Sequence, residues 1–292
     1  MRSISMSIKD FFQSEWAGVA EAWKRWGSAV RTQSAAATDW LVDRAGIHEG
    51  MSVLDLASGV GDPAVALARR VGPTGRVVAS DLVPGTLEFV ARSARTEGLG
   101  QLATQQADME DLPFADRSFD AVTCRLGLMF CPRPELALAE ARRVLRPGGK
   151  AVFIVWGAPS QPLFAATIGE IQRALAVGSQ GRETREGDAP EGPGPFRFAD
   201  QSRLLGALAA TGFSPADVDE LVVPWPFMGA SAEMWRMFCE LGGPTFQSTL
   251  GVLDEAVRRS LEDRIVAALE RHRLGAIVDP TAHLVGACGV AP

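Results

Sequence analysis

Residues 53–70, VLDLASGVGDPAVALARR, constrain this chain more than any other stretch. An apolar run ends in Asp55, passes through the small-residue turn Ala57-Ser58-Gly59-Val60-Gly61, and leads straight into a segment with helical spacing. Small side chains let a ligand approach the backbone, and the N–H groups at a helix start supply donors to a polar or anionic group. The pattern predicts a strand–turn–helix unit that holds a nucleotide-like ligand. A tight turn with no ligand is the plainer reading of the same residues.

From Met51 onward, short apolar runs alternate with amphipathic ones: MSVLDLAS, PAVALARRV, GRVVASD, PGTLEFVARSART, LATQQAD, FDAVTCRL, PELALAEARRVL and KAVFIVWG. Such alternation predicts an α/β fold, a doubly wound sheet of parallel strands with crossover helices on both faces. Asp81 ends the second run about twenty residues beyond the turn, where a carboxylate accepts hydrogen bonds from ribose hydroxyls; capping the next helix is the alternative. A dinucleotide dehydrogenase shares these features, but its third glycine would fall at position 64, which is Ala64.

Composition removes several function classes. With 47% hydrophobic and 22% charged residues over 292 positions, the chain is neither disordered nor a coiled coil. Its formal charge of −6 offers no general attraction to a phosphate backbone, so no nucleic-acid partner is expected. The most continuous apolar stretch, AVFIVWGA, is far short of the roughly 20 residues of a membrane span; the expectation is no membrane insertion and a cytoplasmic location. Cys124, Cys131, Cys239 and Cys288 lack CxxC spacing, which predicts reduced thiols and no metal site.

Outside the core, Phe12, Trp16, Val19, Trp23 and Val30 share one helical face, and a second short helix is expected near 35–45. That apolar stripe either covers the chain's own crevice or makes a homodimer contact. A helix near 163–176 precedes a Gly-, Pro- and charge-rich stretch, 178–195, expected to be a mobile loop. Asp200 caps a further helix, VDELVVPWPF (218–227) is a strand, helices follow over 231–241 and 254–273, and HLVGACGV closes the chain as a strand.

Taken in order, VLDLASGVGD, Asp81, QQADMEDLPF, SFDAVTCRLGLMF and RRVLRPGGKAVFIVW resemble the class I S-adenosylmethionine-dependent methyltransferases, in the branch of the ubiquinone/menaquinone C-methyltransferases. The resemblance spans about residues 35–157 well and 196–292 loosely. It implies a Rossmann-like seven-stranded sheet whose last strand is antiparallel. The implied organisation is an N-terminal helical lid (1–50), a core (51–227), a helical cap inserted between the last two strands (228–281) and a final strand (282–292). Ala57, Ser58 and Gly59 would contact the methionine part of S-adenosylmethionine, with Asp55 and Gly61 framing the turn. Asp81 would hold the ribose, Leu82 the adenine face, and Asp108 with the Met109 backbone the adenine edge. The backbone around Cys124 and Arg125 would face the methionine amino group. Ala57 departs from the family's usual glycine and implies less room at that end.

Further candidates come from position and chemistry. Arg125 follows an apolar strand at its C-terminal end and is expected to orient a substrate oxygen or carboxylate, with a salt bridge to a nearby acid as the alternative. His283 opens the last strand and is the second catalytic candidate. Trp23 and Trp26 are candidates for a sulfonium, which is drawn to a ring face; Phe130, Cys131, Trp156 and Trp235 are candidates for the acceptor pocket. The expected reaction is methyl transfer to a small apolar or aromatic acceptor at oxygen or carbon rather than nitrogen. An NAD(P)-dependent oxidoreductase and a non-catalytic cofactor-binding scaffold are the rival readings.

Overall fold

A computed structural model describes residues 7–178 and 192–292. In chain order the elements are α1 (Ile8–Gln33), α2 (Ala35–Ala45), β1 (Ser52–Leu56), α3 (Ala64–Val71), β2 (Arg76–Asp81), α4 (Pro84–Thr96), β3 (Leu102–Gln106) and β4 (Phe119–Arg125). A single 3-10 turn, Leu128–Phe130, leads to α5 (Pro134–Val144), β5 (Leu145–Trp156), α6 (Pro162–Ala166), α7 (Ile168–Gly178), α8 (Gln201–Ala210), β6 (Ala216–Val223) and β7 (Phe227–Met228). The chain ends with α9 (Ser231–Leu241), α10 (Gly243–Gly251), α11 (Glu255–Glu270), β8 (Arg273–Leu274), β9 (Ile277–Val278) and β10 (Ala282–Val290).

Seven strands form one sheet in the order β3-β2-β1-β4-β5-β10-β6. The pairs from β3 through β5 are parallel, whereas β10 runs antiparallel to both β5 and β6. This is the expected doubly wound sheet with its last strand reversed. Its central strands read as nearly unbroken apolar runs because both faces are covered: Val53, Leu54, Ala121 and Val122 are all fully buried. One face packs against α2, α3 and α4, the other against α5 and α8.

The N-terminal segment divides in two. α2 lies on the sheet itself, with Leu41 fully buried, and Trp40 fills the space above Gly286, where a Cβ would come within 2.4 Å of its ring. Only α1 extends over the strand ends. Ser7 starts it with a capping box in which its hydroxyl accepts from the Asp10 N–H while the Asp10 carboxylate accepts from the Ser7 N–H. The apolar stripe of α1 is covered by its own chain: Val19 is buried, and Phe12 and Trp16 pack on Phe130.

Three boundaries differ from expectation. The sixth strand stops at Val223, because Pro224 and Pro226 have no N–H to continue the ladder; Phe227 pairs with Val278 in a separate three-stranded ribbon. The third strand stops at Gln106, leaving Asp108 in the following loop. The inserted cap has a third helix, α10, whose Gly-, Thr- and Ser-rich sequence carries little helical signal; Pro244 at its start packs against α1 at Gly18. Most of the loop expected at 178–195 lies outside the described residues.

Candidate active site at the strand ends

The carboxyl ends of β1, β2 and β4 converge below α1. The turn after β1 needs left-handed backbone at Ala57 (φ 51°), Gly59 (φ 52°) and Gly61 (φ 100°), which explains two of its glycines. Ser58 closes the turn by donating its hydroxyl to the Asp55 carbonyl at 2.9 Å. An added Cβ on Gly59 would have no neighbour within 4 Å, so the turn presents open backbone there.

Asp55 is fully buried. Its Oδ1 accepts from the Thr123 hydroxyl at 2.7 Å, while its Oδ2 has no hydrogen-bond partner among the described residues. Burial pushes its carboxyl up to about 7 against the opposing Thr123 bond. Asp81 ties the second strand to the turn: Oδ2 accepts from the Gly59 N–H at 2.8 Å and Oδ1 from the Val83 N–H at 2.9 Å. Burial raises its carboxyl while these backbone donors oppose the rise. The Leu82 N–H and the Thr86 hydroxyl oppose it as well.

Asp108 and Glu110 form an acidic corner beside this crevice. The Glu110 N–H donates to Asp108 Oδ1 at 2.9 Å, and Lys9 on α1 donates to Asp108 Oδ2 and, at 2.6 Å, contacts Glu110 Oε2. Glu110 also accepts from the Arg133 N–H at 2.8 Å, from Arg133 Nε at 2.9 Å and from the Cys131 thiol at 3.3 Å. Burial would lift the Glu110 carboxyl, but Lys9 and Arg133 outweigh it and hold it at about 2. Gln13, one turn after Lys9, donates to the Leu82 carbonyl at 3.3 Å.

Arg125 points into the protein. Its Nη2 reaches the Asp62 carboxylate and carbonyl, each at 2.9 Å, and its Nη1 donates to the Thr38 hydroxyl at 3.0 Å; the side chains of the pair are 6% and 11% exposed. This is the salt bridge of the alternative reading, and it joins α2 to the end of the glycine turn. Ala57, Cys124 and Met109 meet around Gly127: a Cβ there would lie 2.4 Å from Ala57 Cβ, 3.0 Å from Cys124 Sγ and 3.7 Å from Met109 Cε.

The aromatic candidates separate into two groups. Phe130 meets Trp16 edge-on at 5.0 Å, and Trp16 meets Trp23 at 6.3 Å; the Trp23 Nε1 is buried without a partner. Trp156 contacts Trp225 at 5.1 Å and Phe164 at 4.8 Å, and Phe164 leads through Phe238 to Trp235, which is stacked on Phe238 at 5.8 Å. Trp26 turns away toward the cap, donating to Glu240 at 2.7 Å under the Arg236 guanidinium. His283 is held by its backbone, its N–H donating to Gln161 at 2.8 Å; it shares a sheet face with Val285 and Ala287, opposite the face of Leu284. Among the described residues, no three His, Cys, Asp or Glu side chains are grouped to hold a metal, and no helix is long and apolar enough to cross a membrane.

Sequence reasoning missed Lys9, Gln13, Asp62 and Gly127. Lys9 meets a residue 99 positions away, and nothing near either end of that contact signals it.

Residues 54–153 match the family model of the methyltransferase domain. The chain is 35% identical over 147 residues to the ubiquinone/menaquinone biosynthesis C-methyltransferase UbiE of Hahella chejuensis, covering 50% of this chain and 53% of that protein. It is 42% identical over 125 residues to the same enzyme of Bordetella avium, covering 43% of this chain and 48% of that one. The chain thus spans about half the length of the curated relatives it matches. The solved YcgJ protein of Bacillus subtilis shares the fold, with a TM-score of 0.56 at 18% identity over 88% of this chain and 98% of that one. Over residues 54–153 this chain is similar to the methyltransferase domain, its sheet shares the fold of the solved YcgJ protein, and it resembles the ubiquinone/menaquinone C-methyltransferases over about half of their length.

Proposed function

We propose that this protein binds S-adenosylmethionine across the ends of β1, β2 and β4 and methylates a small apolar or aromatic acceptor at carbon or oxygen. The observation that carries the reading is the Asp81 carboxylate, fixed at the end of β2 by the Gly59 and Val83 N–H groups beside open backbone at Gly59. The residues fit the cofactor. Ala57, Ser58, Gly59 and Gly61 receive the methionine end, Asp81 the ribose, Leu82 the adenine face, and Asp108 with the Met109 N–H the adenine edge. The backbone at Cys124 and Arg125 faces the amino group, and the unpartnered Oδ2 of Asp55 strengthens the polarity of that end.

The bound cofactor supplies a methyl group activated by a sulfonium, whose departure leaves the bonding electron pair on sulfur. The protein's part is to align the acceptor, exclude water and hold the charge distribution steady. α1 covers the strand ends and Phe130 beneath it lies on the acceptor side, whereas Cys131 gives its thiol to Glu110 and Trp156 and Trp235 belong to a separate aromatic cluster. Trp23 offers a ring face and a buried donor beside Trp16. Arg125 acts as a positioning residue through Asp62. Neither nearby thiol serves as a base: burial lifts Cys124 to about 12 and raises Cys131 further from the physiological range. His283 is a candidate only if the acceptor reaches the open end of β10. Carbon is the acceptor atom named for the curated relatives, which favours it here.

Calorimetric titration with S-adenosylmethionine and S-adenosylhomocysteine tests the binding half. Wild type should bind both in the micromolar range, and Asp81→Ala should weaken both at least about tenfold, the effect of roughly 1.4 kcal/mol from lost charged hydrogen bonds. Absence of binding to either ligand by wild type would end the methyltransferase reading. A screen of phenols, quinones and other aromatic metabolites then identifies the acceptor.

A further inference from the structure

We infer that Lys9 is a latch on the cofactor crevice: its ammonium and the adenine amino group compete for the Asp108 carboxylate, and Lys9 yields by moving wholly onto Glu110. The inference rests on the proposed adenine site at Asp108. Asp108 Oδ1 already accepts from the Glu110 N–H and Oδ2 from Lys9, so Lys9 occupies acceptor capacity of this carboxylate that an incoming donor would use.

Glu110 makes the exchange cheap. Its carboxylate is anchored by three donors of Arg133, the backbone N–H, Nε and Nη2, at 2.8, 2.9 and 2.8 Å, so it keeps its place and charge whether or not Lys9 leans on it. Lys9 already contacts Glu110 Oε2 at 2.6 Å and can release one carboxylate while holding the other. The Lys9 and Asp108 side chains are 31% and 28% exposed, so water and salt compete for the pair and the latch is a weak one.

α1 is held at both ends of the proposed site. α1 touches the adenine side through Lys9 and Gln13, the latter on the Leu82 carbonyl, and the acceptor side through Phe12 and Trp16, which pack on Phe130 at 6.2 and 5.0 Å. Because Lys9 keeps Glu110 and α1 keeps these other contacts, the exchange moves a side chain and leaves the helix in place.

The test is the affinity and association rate of S-adenosylhomocysteine, which carries no net charge, for wild type and Lys9→Met by calorimetry and stopped-flow tryptophan fluorescence. Lys9→Met should bind at least about threefold tighter through faster association, and Lys9→Arg should stay near wild type. Adding salt to the wild-type protein should tighten binding toward the Lys9→Met value, a readout that survives even where the variant folds poorly. Equal or weaker binding by Lys9→Met, or wild-type binding indifferent to salt, overturns the latch while leaving the cofactor site standing. Failure of wild type to bind the ligand at all removes the site, and the latch with it.

Discussion

The methyl group of Ala57 stands in the space that a side chain at position 127 would need: an ideal Cβ on Gly127 would lie 2.4 Å from Ala57 Cβ. The alanine in the turn after β1 is therefore accommodated by a glycine after β4. Both positions follow the carboxyl ends of the neighbouring strands β1 and β4, so the size of one limits the other.

Gly127→Ala should lose about 1–3 kcal/mol of stability, the ordinary cost of overpacking a filled site. Ala57→Gly removes both the clash and a left-handed alanine (φ 51°), so it should restore part of that loss in the double variant. Urea denaturation of the two single variants and the double variant measures the coupling, and strictly additive losses would show that the two residues do not share this space.

Arg125 gives a second test, because its contacts within the protein already account for its charge. Removing one partner of a buried ion pair strands the other, so Arg125→Met should destabilise the fold by about 3–5 kcal/mol. The side chains of Arg125 and Asp62 are 6% and 11% exposed, which keeps solvent screening small. A variant with unchanged stability and a selective loss of turnover would restore Arg125 to direct work on the acceptor.

The burial of Asp55 makes a pH prediction. Its carboxyl titrates at about 7 in the folded protein against 3.8 ordinarily, so the folded state holds the proton more tightly. Stability contributed by the protonated form is present at low pH and is lost as pH rises from about 4 to about 7. Relative to Asp55→Asn, wild type should weaken across that window and run parallel above it. Denaturant midpoints collected across the range decide the matter; a constant difference between the two proteins would mean that Asp55 is ionised throughout.

Glu110 gives the opposite sign. Its folded carboxyl sits at about 2 against 4.5 ordinarily, so its stabilisation is complete above about 4.5 and disappears as pH falls toward 2. Glu110→Gln should flatten the acid limb of the stability curve and free the first turn of α1. Circular dichroism melts over that range provide the measurement, and an acid limb identical to wild type would rule out the Glu110 anchor.

Much of this molecule is local in origin and is legible in the residues. The alternation of apolar and amphipathic runs specifies a parallel sheet because only strands covered on both faces are apolar at every position. The turn at 57–61 is equally local, since left-handed backbone selects glycine, and Asp81 is legible because a strand's carboxyl end has a fixed place in such a sheet. Asp200 likewise declares itself as a helix cap, accepting from the Ser202 N–H at 2.9 Å.

Only the tertiary structure decides the partners across the crevice. Lys9 with Asp108, Arg125 with Asp62, and Ala57 with Gly127 each join segments far apart in the chain, and neither member of a pair carries a pattern that names the other. The same holds for α10, whose own residues carry little helical signal and which is placed by distant contacts, Pro244 against Gly18 and the Thr245 N–H donating to Glu15 at 2.9 Å. Local sequence sets backbone conformation and which faces are apolar, whereas charge pairing and steric fit depend on where the completed sheet places the strand ends. In this protein the strand–turn–helix unit at 53–70 was written in the first of these and the contacts of α1 were settled by the second.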